Sequence, residues 1–451
     1  MKKNVVIIGN GISGITAARF IRKFSDCSIT VISDESDHFY SRTALMYIYM
    51  GHLTYENTKP YEDWFWAKNR IDLVRGYVRS VDTEGRQLIL AGGNRVHYDV
   101  LILATGSSSR KFGWPGQDLK GVQGLYNLQD LELMETNTRG IQRAVITGGG
   151  LIGIEMAEML LSRGIDVTLL VRESEYWTNV LPLDEAAMIS RHIREHHVDL
   201  QLQTELKEIL SDETGQACAV VTSKGQTIPC QFVGLTTGVM PNVDFLRDSP
   251  LEIDRGILVN HYFETNIPDV YAVGDCAQFR DPRPGHPPVE QLWYTGRMHG
   301  ETVARTVCGQ RTEYDRGIWF NSAKFFNIEY QTYGYVSPTE QDGEVSLYWE
   351  HPRGKHAVRI NYTEADRTVI GVNLFGIRHR QDVWETWLRA GKDIEYVLEH
   401  LGAANFDPEF YTEMEEQVLD QYNTHNPDRK LKLKRRRSVA ARLKELAGVG
   451  N

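Results

Sequence analysis

The chain alternates short apolar runs with amphipathic stretches, and one succession of these occurs twice. From Lys3 an apolar run, Val5-Val6-Ile7-Ile8, stops at a glycine-rich turn, enters a helical pattern, and is followed by a second run from Ser28 to Ile32. From Arg143 the order repeats: AVITGGGLIGIEMAEM echoes VVIIGNGISGITAARF, and Val167 to Leu170 supplies the second run. Continuous apolar runs bounded by turn residues predict strands buried on both faces, as in a parallel sheet. Strand, glycine turn, helix and strand make a βαβ unit, so the expected fold class is α/β with two Rossmann-like halves.

Between the repeats lie a polar and aromatic stretch (36–70), short alternating segments (71–98), and YDVLILATGS, a buried strand ending at a glycine turn. Residues 112–124, with Pro115 and several glycines, read as a linker. After the second unit come strand-like segments near 198–210, 217–222 and 227–235, then turn residues from Pro241 to Gly256. VYAVGDCAQ is again a strand running into a turn, and 290–308 reads as a helix. Beyond Arg316 the pattern changes to β-type segments such as HAVRINY and TVIGVNLFG, followed by a helix from Gln381 to Ala390. This predicts a separate C-terminal domain ending near Asn423, with a short helix over Ser438 to Ala447 in the tail.

Each glycine of Gly9-Asn10-Gly11-Ile12-Ser13-Gly14 has a physical role. Gly9 permits the tight turn, Gly11 lets the backbone approach a pyrophosphate, and Gly14 lets the helix pack on the sheet with its N-terminal dipole toward the phosphates. The second strand of this unit ends at Asp34 and Glu35, where a carboxylate would hold an adenosine ribose. Gly148, Gly150 and Gly153 form the second fingerprint, with Ile152 beside them. At its ribose position stand Val171 and Arg172, and an Arg there pairs with a 2′-phosphate, favouring NADPH, while the adjacent Glu173 favours NADH. Both cofactors stay open.

Composition narrows the class. The 451 residues are 41% hydrophobic and 24% charged, an ordinary globular balance, and no apolar run approaches a membrane span. Lys2 and Lys3 precede only a short apolar run with no cleavage signal, so a cytoplasmic location is expected. The five cysteines are scattered without a CxxC pair, which fits small buried hydrophobes in a reducing compartment. No His or Cys spacing suggests a metal, iron–sulfur or haem site. The net charge of −10 hides an asymmetry: residues 427–451 hold nine Lys/Arg against two acids, a net of +7, which leaves the rest at −17.

GNGISG, Ala104-Thr105-Gly106, GGGLIG and Val273-Gly274-Asp275, in this order, resemble the two-dinucleotide-binding flavoproteins of the pyridine nucleotide–disulfide oxidoreductase superfamily. The branch is that of ferredoxin and rubredoxin reductases and the nitrite reductase flavin subunit. The resemblance implies FAD and NADH or NADPH as cofactors. It also implies an FAD-binding domain (1–112 and 250–316) interrupted by an NAD(P)H-binding domain (113–249), then a C-terminal α+β interface domain (317–425) and a basic tail (426–451). Asp275 would bond the flavin's ribityl chain, Thr105 and Gly106 would line the cofactor, and Arg42 of Tyr40-Ser41-Arg42 would neighbour its phosphates. Gln291 and Trp293 would open a helix facing the flavin's pyrimidine edge. Glu155 would sit near the nicotinamide, paired in the branch with a Lys after the YxR segment. Here no Lys precedes Lys59, and Tyr47 is the nearest polar substitute.

The superfamily's thiol chemistry needs a cysteine early in the chain beside the flavin, where this sequence has Ser41-Arg42-Thr43-Ala44. The chemistry left is direct hydride transfer from NAD(P)H to flavin N5, then release to an acceptor. An acidic, ferredoxin-like carrier would suit the basic tail; a small-molecule acceptor, a thiol-free oxidase or quinone reductase, and a redox sensor resembling apoptosis-inducing factor are the competing readings. The aromatic C-terminal region fits either a sheet core or a homodimer face.

Overall fold

The computed structural model describes residues 2–407 and 413–434, so the helix expected over Ser438 to Ala447 and Arg435 to Arg437 of the basic run lie outside the described residues. The chain divides into two compact units, Met1–Arg172 with Thr204–Arg316, and Glu173–Gln203 with Gly317–Asn451.

In the first unit, five parallel strands follow the order Val270–Ala272, Val100–Leu103, Asn4–Ile8, Ser28–Ser33, Ile71–Arg75. Val5, Val6 and Ile7 are fully buried, which is why this run shows no polar alternation. Helix Ile12–Phe24 covers the sheet and packs along helix Trp293–Val307. The approach is close because Gly296 and Gly300 carry no side chain; a Cβ would stand 2.8 Å from Ser13 Oγ and 2.5 Å from Ser13 O. This contact brings the start of helix Trp293–Val307 beside the first fingerprint.

The second βαβ unit repeats the arrangement, with parallel strands ordered Asp166–Leu170, Arg143–Thr147, Phe232–Leu235, Val122–Gln123, and helix Leu151–Leu161 after the glycine turn. A two-stranded ribbon, Ser107–Ser109 against Val239–Pro241, joins the halves. An antiparallel sheet of Leu206–Ser211, Ala217–Thr222 and Thr227–Pro229 follows. Its hairpin sets Cys218 beside Cys230, whose N–H donates to the Cys218 carbonyl at 3.0 Å. Cys230 and Cys276 are buried as expected; Cys27 and Cys308 are half-buried and Cys218 is exposed, so these three depart from the reading of all five cysteines as small buried hydrophobes.

The second unit holds an antiparallel sheet ordered Phe320–Phe325, Ile328–Gly334, Val369–Phe375, Ala357–Thr363, Glu344–Glu350. Helices Gln381–Arg389, Ile394–Glu399 and Glu415–His425 belong to it. Most of its aromatics are core: Phe325, Tyr330, Tyr333, Trp384 and Trp387 are buried, whereas Tyr335 is exposed. Helix Leu183–Glu195, which the sequence groups with the second βαβ unit, belongs to this unit. The reason is a buried polar tie. Glu185 accepts from Arg359 Nε at 3.0 Å and Asn373 Nδ2 at 2.8 Å, and Arg359 also donates to Asp184 at 2.9 Å.

Candidate functional site

The two fingerprint turns are built by one steric device. Gly9 leaves its strand at φ +108°, and a Cβ there would stand 2.1 Å from the Ala104 carbonyl oxygen. A Cβ on Gly14 would lie 2.1 Å from the Gly9 oxygen. At the second turn Gly148 has φ +127°, with a Cβ 2.5 Å from the Thr236 oxygen, and Gly153 would meet the Gly148 oxygen at 2.5 Å. The middle glycines differ: nothing lies within 4 Å of a Cβ on Gly11 or Gly150. The protein's own packing demands the outer glycines. The middle ones keep open a face on which a ligand's phosphates can approach the backbone and a helix N-terminus.

Before the first turn lies a cavity of ≈ 770 Å³, within the roughly 300–1,000 Å³ of small-molecule and cofactor sites. It gathers Gly9, Gly11, Ser13, Asp34, Glu35, Arg42, Thr105, Gly106, Gly274, Asp275, Gln291 and Trp293 from segments far apart in sequence. Ile152 and Glu155, from the helix of the second fingerprint, line the same cavity. Gly14 stands behind its wall. Gly148, Gly150 and Gly153 of the second turn do not line it, nor does Arg172, which follows strand Asp166–Leu170 and is exposed.

Of the two acids at the ribose position, Asp34 is exposed at the cavity, while Glu35 is committed to the protein. Arg42 grips both Glu35 oxygens, at 2.8 and 2.6 Å, Tyr40 donates its hydroxyl, and the Leu128 N–H adds a bond at 3.2 Å. Burial pushes the Glu35 carboxyl up, but Arg42 and these donors outweigh it and leave it below its ordinary value. Arg42 also donates to the Tyr126 carbonyl at 2.7 Å and lies 4.6 Å from the centre of the Tyr126 ring.

Asp275 accepts from Ser107 Oγ at 3.0 Å and from Tyr126 Oη at 3.2 Å, and Gln291 Nε2 donates to Ser107 Oγ at 2.9 Å. Burial raises the Asp275 carboxyl despite these donors. Trp293 both lines the cavity and stacks on Phe39, ring centres 6.0 Å apart, so it serves core and cavity at once. It begins helix Trp293–Val307, whose N-terminus is positive and favours an anionic ring system nearby.

Among the described residues no group donates a hydrogen bond to Glu155, and burial, reinforced by Glu158, pushes its carboxyl up to about 7. Lys59 does not reach it; that ammonium pairs with Asp63 at 2.8 Å and with Glu56. Tyr47 is not among the residues lining the cavity. Helix Leu45–Tyr49 turns Leu45 and Met46 to the cavity, while the Tyr47 ring stacks on His52, centres 6.2 Å apart.

Sequence reasoning missed Tyr126, Ser107 and Asn10. Asn10 ties the fingerprint loop to the Ser36 carbonyl at 2.8 Å. Tyr126 precedes a capping box, Asn127 with Asp130, that starts helix Leu128–Asn137 inside the stretch after the expected linker. That box was legible; the direction of the preceding ring was not. Cys276, although next to Asp275, is fully buried and directs its thiol to the Leu103 and Val273 carbonyls. Among the described residues no group of three or more His, Cys, Asp or Glu could hold a metal ion, and no helix is long and apolar enough to cross a membrane.

The profile of the pyridine nucleotide-disulphide oxidoreductase family matches residues 3–300. The chain belongs to this family, whose reductases use FAD and NAD(P)H. It is 27% identical over 380 residues to the nitrite reductase [NAD(P)H] of Bacillus subtilis, covering 83% of this chain and 46% of that protein. It is 27% identical over 396 residues to the assimilatory nitrate reductase electron transfer subunit of the same organism, covering 86% and 49%. The chain thus spans about half the length of these relatives. Rhodocoxin reductase of Rhodococcus erythropolis is 30% identical over 328 residues, covering 71% of this chain and 76% of that one. Among solved structures, the ferredoxin reductase for the CYP199A2 system of Rhodopseudomonas palustris has the same fold, with TM-score 0.77 at 22% identity over 93% of this chain and 99% of that one. The NAD-dependent persulfide reductase of A. fulgidus reaches TM-score 0.82 at 23% identity, covering 94% and 83%.

Proposed function

We propose that this chain is an FAD-dependent NAD(P)H:acceptor oxidoreductase that works without a redox disulfide and passes electrons to a ferredoxin-like carrier. The observation that supports it most is the sharing of one cavity. Residues of the first fingerprint line it together with Ile152 and Glu155 of the second fingerprint's helix, so a nucleotide on each turn would bring its reactive end toward the other. In this reading residues 1–112 and 250–316 would hold FAD, 113–249 apart from the segment 173–203 would hold NAD(P)H, and 317–425 would form the interface domain.

A bound FAD would supply the redox chemistry between NAD(P)H and the acceptor, while the residues of this chain would hold and orient it. Gly11 and the helix behind it would receive the pyrophosphate, Asp34 would hold the adenosine ribose, and Asp275 with Tyr126 and Ser107 would hold the ribityl hydroxyls. Arg42, neutralised by Glu35, fixes the Tyr126 wall and adds little free charge to the phosphates. Glu155 stands where the nicotinamide would enter and can give or take a proton near neutral pH. The second turn receives the NAD(P)H pyrophosphate at Gly150, with Arg172 at the ribose. The residues 427–451 supply positive charge to an acidic carrier, as electrostatic steering requires.

Anaerobic stopped-flow mixing of the flavin-loaded protein with NADH and with NADPH tests this. Rapid bleaching of the flavin absorbance, fast reoxidation by a ferredoxin and slow reoxidation by air are expected. Reduction no faster than free flavin would refute a reductase, and fast reoxidation by air would make it an oxidase.

A further inference from the structure

Behind the cofactor cavity, on the far side of the Gly274–Asp275 turn, lies a buried polar cluster that the reading above does not use. Glu290 and His299 are its centre, both side chains 1% exposed. The His299 Nδ1 faces the backbone N–H of Gly274 at 3.1 Å, and its Nε2 faces Glu290 Oε2 at 3.3 Å. Tyr314 donates its hydroxyl to Glu290 Oε2 at 2.7 Å, and Arg316 Nη1 donates to Oε1 at 3.2 Å. A backbone N–H can only donate, so Nδ1 must be the unprotonated, accepting nitrogen. The ring proton then sits on Nε2, where a carboxylate is placed to receive it. Burial raises the Glu290 carboxyl, but His299, Tyr314 and Arg316 outweigh it, so Glu290 is ionised and a competent acceptor.

The cluster is tied to the cavity at two points. Gly274 has φ +72°, and a Cβ on it would stand 2.4 Å from Ser13 Oγ, so the turn is wedged between the first fingerprint helix and the imidazole. The next residue is Asp275. Glu290 itself immediately precedes Gln291, which bonds Ser107 and lines the cavity.

We propose that Glu290 and His299 are positioning residues: the carboxylate selects the Nε2–H tautomer of His299, and the freed Nδ1 holds the Gly274–Asp275 turn in place for the flavin. The proposal rests on reading the cavity as the FAD site. Phe263 and Tyr314 pack against the imidazole, with ring centres at 4.6 and 4.7 Å, and restrict its rotation, so the tautomer alone decides which nitrogen accepts.

Long-range ¹H–¹⁵N correlation on histidine-labelled full-length protein reads the tautomer directly. The Nε2–H form of His299 is expected in the wild type, and an Nδ1–H form or an imidazolium overturns the proposal, whether or not FAD binds. The second measurement is FAD affinity, by fluorescence titration of deflavinated protein. His299→Leu removes the bond to Gly274 and should weaken FAD roughly three- to tenfold, the worth of one net hydrogen bond. His299→Asn sets an amide oxygen near the place of Nδ1 and should recover most of that loss. NAD(P)H affinity should stay unchanged in both. Equal FAD affinity in the Leu and wild-type proteins overturns the relay. If the Leu variant does not fold, Glu290→Gln, nearly isosteric, takes its place: an unchanged tautomer with unchanged FAD affinity is then the overturning result. A wild type that binds no FAD refutes the functional reading, while the tautomer still decides the relay.

Discussion

Replacing each fingerprint glycine by alanine separates the glycines that the fold needs from those that a ligand needs. At Gly9 the new Cβ would meet a backbone oxygen at 2.1 Å, and the residue would hold φ +108°. Left-handed strain of about 1–2 kcal/mol and overpacking of about 1–3 kcal/mol give a loss of about 2–5 kcal/mol, a large part of a typical stability of about 5–15 kcal/mol. At Gly11 the backbone is ordinary, φ −69° and ψ −176°, and the Cβ meets nothing within 4 Å. Reduced freedom of the unfolded chain, about 0.4–1 kcal/mol in favour, nearly cancels the poorer helix cap, about 0.5–1 kcal/mol against. Gly11→Ala should therefore leave flavin-free stability within about 0.5 kcal/mol. Its methyl would nevertheless stand where the pyrophosphate approaches, and a displacement costing about 1–3 kcal/mol weakens FAD about 5- to 150-fold. Gly150→Ala should leave FAD affinity alone and weaken NAD(P)H by a similar factor. Urea unfolding of the deflavinated proteins and fluorescence titration with FAD and NAD(P)H measure all three. Wild-type FAD affinity in Gly11→Ala, or a flavin-free protein as damaged as Gly9→Ala, would refute the reasoning.

Glu155 has a folded-state pKa of about 7, above the ordinary 4.5; burial thus favours the protonated form, and its stabilising contribution is present at acid pH and lost as pH rises through 7. Glu155→Gln should lose less stability than wild type between about pH 5 and 8, and its NAD(P)H-driven flavin reduction should show a flatter pH profile; coincident profiles would exclude Glu155 as the titrating group. Arg359→Met leaves Glu185 buried without its cation and should destabilise the protein by about 3–5 kcal/mol near pH 8. The loss should shrink in acid, because burial already lifts the Glu185 carboxyl to about 7 and it is then neutral. Asp34→Ala should weaken FAD by about one hydrogen bond, roughly three- to tenfold, without changing unfolding; unchanged binding would remove Asp34 from the ribose site.

Much of this protein was legible before folding. Local chemistry decides the βαβ units: an apolar run needs a covered sheet, and a turn at φ above +100° needs glycine at 9 and 148. Both glycine turns and the acids after the second strand were therefore legible in the sequence. Tertiary structure alone decided how those residues divide their work. Asp34 and Glu35 look equivalent in sequence, yet Glu35 is spent on Arg42 while Asp34 stays at the cavity. Tyr126, distant from every motif, reaches Asp275 only because the ribbon and the capped helix bring residues 107, 126 and 275 together. Tyr47 turns aside although it stands in the expected segment, and helix Leu183–Glu195 joins the C-terminal sheet through Glu185 and Arg359. Periodicity encodes which face of an element is apolar. Which carboxylate finds a cation, and which ring finds a cavity, depends on contacts between elements that no local pattern records.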